Sequence, residues 1–290
     1  MAHKPDFDRP TGVHTTGHEW DGLQELNNPM PKWWLTTWYV TIVWSVIYWI
    51  LMPSWPLITD YTRGLLRYTQ RGELAREMRE SAAARAGVID RIKTSTLAEI
   101  DANPELRQVA IAGGRSAFGN NCIACHGTGA QGGVGYPNLN DDDWLWGNGS
   151  LESIYQTIQY GIRSGHPQAR TNEMPAFGKT GLLTEAQIGD LVAFVRSLSM
   201  KGESADAVKR GKALFAENCV VCHGDDGKGN AELGAPNLAD QVWLYGGDRK
   251  SIRDTIFYAR GGVMPAWAGR LDDVTLKELT IFVHSLGGGR

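Results

Sequence analysis

Four cysteines are present in the chain, and all four fall into two copies of one pattern: Cys122-x-x-Cys125-His126 and Cys219-x-x-Cys222-His223. On a helical turn, residues at i, i+3 and i+4 share a face. Two thiols so placed can each add across a haem vinyl group, and the histidine that follows then aims a ring nitrogen at the iron. The spacing thus predicts covalent haem attachment together with its proximal ligand, twice. Structural zinc draws its ligand pairs from neighbouring segments, whereas these pairs are almost a hundred residues apart. A thioredoxin-like pair would not call for the adjacent histidine. No cysteine is left over for a disulfide.

Each pattern lies inside a repeat. Gly114-x-x-x-Phe118-x-x-Asn121-Cys122 matches Gly211-x-x-x-Phe215-x-x-Asn218-Cys219, and Pro137-Asn138-Leu139 matches Pro236-Asn237-Leu238. Trp144-Leu145 matches Trp243-Leu244, and Thr157-Ile158-x-Tyr160 matches Thr255-Ile256-x-Tyr258. Met174-Pro175-Ala176-Phe177 matches Met264-Pro265-Ala266-Trp267, and each copy closes on an amphipathic helix, 184–198 and 274–286. This order predicts duplication of one domain, with 201–205 as the link. Met174 and Met264 are read as axial iron ligands, each held by a following proline whose φ is fixed. With both axial positions filled, electron transfer is favoured over chemistry at the iron. The carbonyls of Pro137 and Pro236 either accept the second ring N–H of the ligand histidines or simply mark turns; both readings stay open. His284 is matched by Arg196 in the other copy, His166 sits in a loop of the first copy only, and His3, His14 and His18 lie in the N-terminal tail, so none is read as a ligand; nor are Met200, which has no partner in the other copy, and Met30, Met52 and Met78, which lie outside the domains. Asp141–Asp143 reads as a solvated loop or a patch for a basic partner.

The elements that must position these groups follow. From Trp33 to Thr59 the chain is uncharged, with tryptophans at both ends, and Pro53 and Pro56 stop the run. Its length and aromatic ends predict a retained transmembrane helix rather than a cleaved signal. Counting basic residues alone (Lys4, Arg9 and Lys32 against Arg63, Arg67, Arg71, Arg76 and Arg79) would put the C-terminal part inside. Haem attachment in c-type cytochromes occurs outside the bacterial cytoplasm, and this family-level rule overrides the count. The stretch 72–100 reads as a polar helix with a solvated face. The expected organisation is a cytoplasmic tail 1–32, a membrane anchor 33–56, a helical spacer 57–104, and cytochrome c domains at 105–200 and 201–290. The fold class is mainly α: one N-terminal transmembrane helix, then two tandem class I cytochrome c domains. Net charge is −3, and no clustered basic face suggests nucleic acid.

The whole pattern resembles a known family. The tail Thr16-Gly17-His18-x-Trp20-Asp21-Gly22-Leu23-x-Glu25-Leu26-Asn27, then Pro31-x-Trp33-Trp34, one span, two haem domains and a terminal Leu286-Gly287-Gly288-Gly289 are similar to the dihaem subunit III (CcoP/FixP) of cbb3-type cytochrome c oxidase. Some members carry a second, earlier span, which is not read here. The resemblance implies two covalently attached haem c groups, at Cys122, Cys125 and His126 and at Cys219, Cys222 and His223, with Met174 and Met264 as axial ligands; which methionine serves which haem is left open. It implies electron entry from a soluble cytochrome c or the quinol-oxidising complex. Electrons then pass to the monohaem and catalytic subunits, where O2 is reduced and protons are pumped. The chain would be no enzyme by itself. Its setting would be the bacterial inner membrane, with the haem domains in the periplasm. A dihaem peroxidase or a haem-based gas sensor is the alternative, and each needs an open or releasable iron site.

Overall fold

The structure, a computed structural model, describes residues 6–288; the expectations for His3, Lys4 and Gly289 lie outside the described residues. The chain is mainly helical and divides into two compact units, residues 1–84 and 85–290.

In the first unit, β1 (Phe7–Asp8), β2 (Val13–Trp20) and β3 (Leu23–Leu26) form a small antiparallel sheet in that order. The hairpin between β2 and β3 turns on Asp21 and Gly22, both with positive φ (50° and 83°). That is the two-residue turn an Asp-Gly pair favours. Helix α1 (Lys32–Leu51) has 20 residues and no buried side chain. At 1.5 Å per residue it spans about 30 Å, the thickness of a bilayer's hydrocarbon core. Thr36, Thr37 and Ser45 each donate a hydroxyl to the carbonyl four residues back, and Thr41 to that three back, so these four hydroxyls are satisfied within the helix. Past Pro53 the chain folds back, and the Leu65 and Leu66 N–H groups donate to the carbonyls of Ile50 and Leu51 at 3.0 and 3.1 Å. Gly64 permits this (φ 65°), since a Cβ there would overlap the Leu51 carbonyl. Residues 57–69 contain no helix; α2 (Gln70–Thr94) follows and runs into the second unit.

The second unit begins with the end of α2 and continues through α3 (Leu97–Ala102), α4 (Pro104–Asn121), the single turn α5 (Ile123–His126), α6 (Leu151–Tyr160) and α7 (Glu185–Ser199). The second repeat supplies α8 (Ala205–Asn218), the turn α9 (Val220–His223), α10 (Arg249–Tyr258) and α11 (Asp273–His284). The reading of 72–100 as a solvated spacer fails at its C-terminal end. Ile92, Leu97 and Ile100 are buried with Leu106, Ala110, Leu151 and Ile281. A capping box of Thr96 and Glu99 starts α3, and Lys277 on α11 donates to the carbonyls of Lys93 and Ser95 that end α2. The polar composition of 72–100 hid three apolar residues that complete the core, Ile92 on α2 and Leu97 and Ile100 on α3.

The two repeats interlock. The closing helix of the first, α7, packs against α8 and α10 of the second, while α11 packs against α4 and α6 of the first. Only residues 200–204 separate α7 from α8, so these helices meet as an antiparallel hairpin. Each crossing is made on the glycine of the Gly-x-x-x-Phe pattern. A Cβ on Gly211 would overlap the Asp190 carbonyl and Phe194, and one on Gly114 the Glu278 carbonyl and Phe282. Four residues on, the rings meet: Phe215 with Phe194 at 5.0 Å and Phe118 with Phe282 at 5.3 Å.

Candidate haem sites

The Cys-x-x-Cys-His segments occupy equivalent turns. Helix α4 ends at Asn121 and α8 at Asn218, and each asparagine donates its amide to a carbonyl four residues back (Ala117, 2.8 Å; Leu214, 2.9 Å). The backbone then makes one more helical turn, with the N–H of His126 donating to Cys122 and that of His223 to Cys219, both at 2.9 Å. Gly127 (φ 80°) and Gly224 (φ 76°) end it. Cysteines and histidine therefore share a face in both repeats, as the spacing requires.

The second coordination position of each imidazole is settled by its neighbour. His126 Nδ1 lies 3.2 Å from the Pro137 carbonyl and His223 Nδ1 3.0 Å from that of Pro236. A carbonyl only accepts, so Nδ1 carries the proton and Nε2 keeps its lone pair. Of the two readings of these prolines, the structure shows the hydrogen bond. Burial lowers the pKa of both imidazoles, partly countered by these bonds, which favours the neutral form a metal needs. Burial, and secondarily the neighbouring cysteine, pushes the thiols of Cys122 and Cys219 up to about 11.

Each methionine lies beside the motif of the opposite repeat. Met174 packs against the apolar cluster that contains Phe215, as do Cys219, Val220 and Trp243, and it lines a cavity of about 720 Å3 together with Cys219, Cys222 and His223. Met264 packs against the cluster that contains Phe118, as do Cys122, Ile123 and Trp144. Its backbone pairs with Ile162 of the first repeat through two 3.0 Å hydrogen bonds, and Trp267 and Ala268 continue onto the carbonyls of Ile158 and Gln159. Symmetrically, the Lys179 N–H donates to the Phe257 carbonyl at 3.0 Å, and Asn172 donates its amide to Leu233 at 2.7 Å.

The cavity volume falls within the roughly 300–1,000 Å3 usual for cofactor pockets. Its wall is largely apolar, including Leu191, Val195, Phe215, Ile252 and Ile256. Within it, Trp243 Nε1 is buried and has no hydrogen-bond partner, although a buried donor ordinarily finds one. The equivalent Trp144 donates to the Gly288 carbonyl at 2.8 Å. A planar group with an iron at its centre and carboxylates at its edge fits the donors that line this cavity: two thiols, an imidazole, a thioether and an indole N–H without an acceptor. Haem c is such a group.

Several residues at the sites went unnoticed in the sequence. Arg260 lies over the Tyr245 ring (4.6 Å) and donates to Thr255, while Arg170 lies over Trp146 (5.6 Å) and donates to Thr157. The two arginines are structural equivalents. Their equivalence is invisible in alignment because Arg170 sits at the end of a loop, 161–170, which the second repeat lacks. In that loop His166 stacks on Tyr160 (4.8 Å), and its Nδ1 accepts from the Gln168 N–H. Asp143 is half-buried, and burial with Asp240, Asp141 and Asp142 nearby raises its pKa, so the acidic loop is not simply solvated.

Three family models match the chain: the N-terminal domain of cytochrome oxidase-cbb3, FixP, over residues 12–59; cytochrome c over 111–199; and cytochrome c oxidase, cbb3-type, subunit III over 206–283. Among characterised relatives, the cbb3-type cytochrome c oxidase subunit FixP of Bradyrhizobium sp. (strain ORS 278) is 52% identical, over 100% of both chains. That of Rhizobium meliloti (strain 1021) is 50% identical and CcoP of Cereibacter sphaeroides is 47% identical, again over 100% of both chains.

Proposed function

The chain belongs to the FixP/CcoP family of cbb3-type cytochrome c oxidase subunits, and on that premise we propose that it is a membrane-anchored electron-transfer subunit holding two haem c groups. Two matching cytochrome c domains imply covalently bound haem. One haem is attached at Cys122 and Cys125 with His126 as proximal ligand, the other at Cys219 and Cys222 with His223. The axial thioethers are exchanged: Met264 serves the first haem and Met174 the second. The single observation that carries this reading is the placement of Met174 in one cavity with Cys219, Cys222 and His223.

When bound, haem supplies a one-electron ferric–ferrous couple. The residues around it do the rest. Pro137 and Pro236 hold the imidazoles in the tautomer that leaves Nε2 free. Leu191, Val195, Ile252 and Ile256 exclude water from the second site, and Trp243 Nε1 and Arg260 are donors available to haem carboxylates. An imidazole and a thioether both given to the iron would leave no open position for substrate, so the chain would carry electrons and perform no turnover alone.

Electrons arrive from a soluble cytochrome c or the quinol-oxidising complex and leave to the monohaem and catalytic subunits, which reduce O2 and pump protons. Helix α1 spans the bacterial inner membrane, residues 1–32 lie in the cytoplasm, and the haem domains lie in the periplasm.

The test is optical spectroscopy of the detergent-extracted protein with haem quantitation, repeated on single-haem variants. With Cys122 and Cys125 replaced by serine, one low-spin haem with a methionine–iron band is expected. Met174→Ala should abolish that band, while Met264→Ala should leave it. The opposite dependence overturns the exchange, and a high-spin haem in the unsubstituted protein overturns the electron-carrier reading. Copurification without b-type haem or copper would move the chain to a different complex.

A further inference from the structure

The loop 161–170, present only in the first repeat, does more than connect α6 to Met174. Its Ile162 pairs through backbone with Met264. The next residue, Arg163, adopts a left-handed conformation (φ 51°), which a non-glycine side chain holds only where the surroundings enforce it. The surroundings are specific. Arg163 N–H donates to the Arg170 carbonyl at 2.7 Å and Arg170 N–H to that of Gly161 at 3.2 Å, closing the loop at its neck. Its guanidinium reaches in both directions: Nε donates to the Gly262 carbonyl at 2.7 Å and Nη1 to the Asn172 carbonyl at 3.0 Å. Gly262 lies two residues before Met264, and Asn172 two residues before Met174.

We propose that Arg163 is a positioning residue that clamps the two methionine loops to one another, so that release of one axial methionine weakens the hold on the other. The inference rests on the ligand assignment above and goes beyond it, to a coupling between the two sites. A guanidinium is suited to the task because its donors diverge in a fixed fork and stay charged, whereas a backbone contact between the loops would tie one pair of atoms. In the second repeat the chain passes directly from Ala259 through Arg260 to Gly261. That arginine turns back onto its own helix, at Ser251 and Thr255. One clamp therefore serves two sites.

Imidazole is the probe. It binds ferric haem only after methionine leaves, so its affinity reports how firmly each loop is held. The full two-haem chain is titrated in detergent, with both haems followed by their low-spin EPR signals. In the unsubstituted protein the two sites are expected to fill with positive cooperativity, because opening either loop breaks the clamp for both. Arg163→Ala should bind imidazole about tenfold more tightly at both haems, since charged hydrogen bonds each contribute of that order, and should fill them independently. Arg163→Lys, whose single ammonium reaches one carbonyl at a time, should restore the parent's weaker imidazole binding at one site without restoring cooperativity. A role confined to folding would lower the melting temperature and leave the cooperativity in place. That outcome, or an effect of Arg163→Ala at one haem alone, overturns the clamp. Absence of a methionine–iron band in the unsubstituted protein overturns the ligand assignment itself, and the clamp with it.

Discussion

The crossing of α7 on α8 makes a prediction with an internal control, since both helices carry a glycine near the contact. A Cβ at Gly211 would overlap the Asp190 backbone carbonyl and Phe194, whereas a Cβ at Gly189 would meet nothing within 4 Å. Replacing either glycine by alanine in a helix interior gains roughly 0.5–1 kcal/mol from reduced backbone freedom in the unfolded chain. At Gly189 that gain stands alone, so Gly189→Ala should stabilise. At Gly211 the carbonyl cannot rotate away as a side chain would. The helices must separate, and overpacking of this kind costs about 1–3 kcal/mol. The net for Gly211→Ala is destabilisation of about 1–2 kcal/mol, or a melting temperature lower by roughly 2–8 °C for a unit of this size. Because Met174 precedes α7 and lies against α8 in the same apolar cluster, the second haem's methionine–iron band should weaken in the same variant. The assay is thermal melting followed in the haem absorption, comparing both variants with the parent. Equal stabilisation by the two alanines would refute the close crossing, and loss of the first haem's band instead of the second would refute the exchanged packing.

At the equivalent crossing, Gly114→Ala should loosen α11 and weaken the first haem's methionine band. The matching position of Asp190, which pairs with Arg210 at 2.7 Å, is Glu278 on α11. It is buried against Gly113 and Gly114, and burial, with Asp272 adding to it and Arg85 opposing, raises its pKa to about 7. The folded protein thus binds this proton more tightly than the unfolded chain. Stability from this group is greatest below the ordinary carboxylate pKa of about 4.3 and falls as pH rises from there to about 7. Glu278→Gln should flatten that stretch of the stability–pH curve and raise the melting temperature at pH 8; an unchanged curve would sink the argument. Asp190 is the opposite case. Its Arg210 hydrogen bonds hold the carboxyl below the usual range, so its contribution is present at neutral pH and lost on acidification through the folded pKa, a loss that Asp190→Asn should abolish. Thr184→Ala removes the capping box that starts α7 and should cost about 1 kcal/mol in chemical denaturation.

What could be read from sequence was whatever is fixed within a few bonds. Cys122, Cys125 and His126 share a face because one helical turn puts them there, and no distant contact can change that. The duplication was legible because Met174-Pro175 and Met264-Pro265 recur in the same order, and α1 because its length and lack of charge admit little else. Tertiary structure alone decided which repeat's Cys-x-x-Cys-His segment each methionine packs near. Either closing helix offers a similar surface, Phe194 or Phe282, to either glycine groove at Gly114 or Gly211, so local pattern is degenerate between the two pairings. The five-residue link 200–204 breaks the degeneracy by holding α7 beside α8, which leaves α11 to return to α4. The burial of Ile92, Leu97 and Ile100, the unpartnered Trp243 N–H and the double reach of Arg163 depend on residues far apart in the chain, whose separations only the packed fold sets.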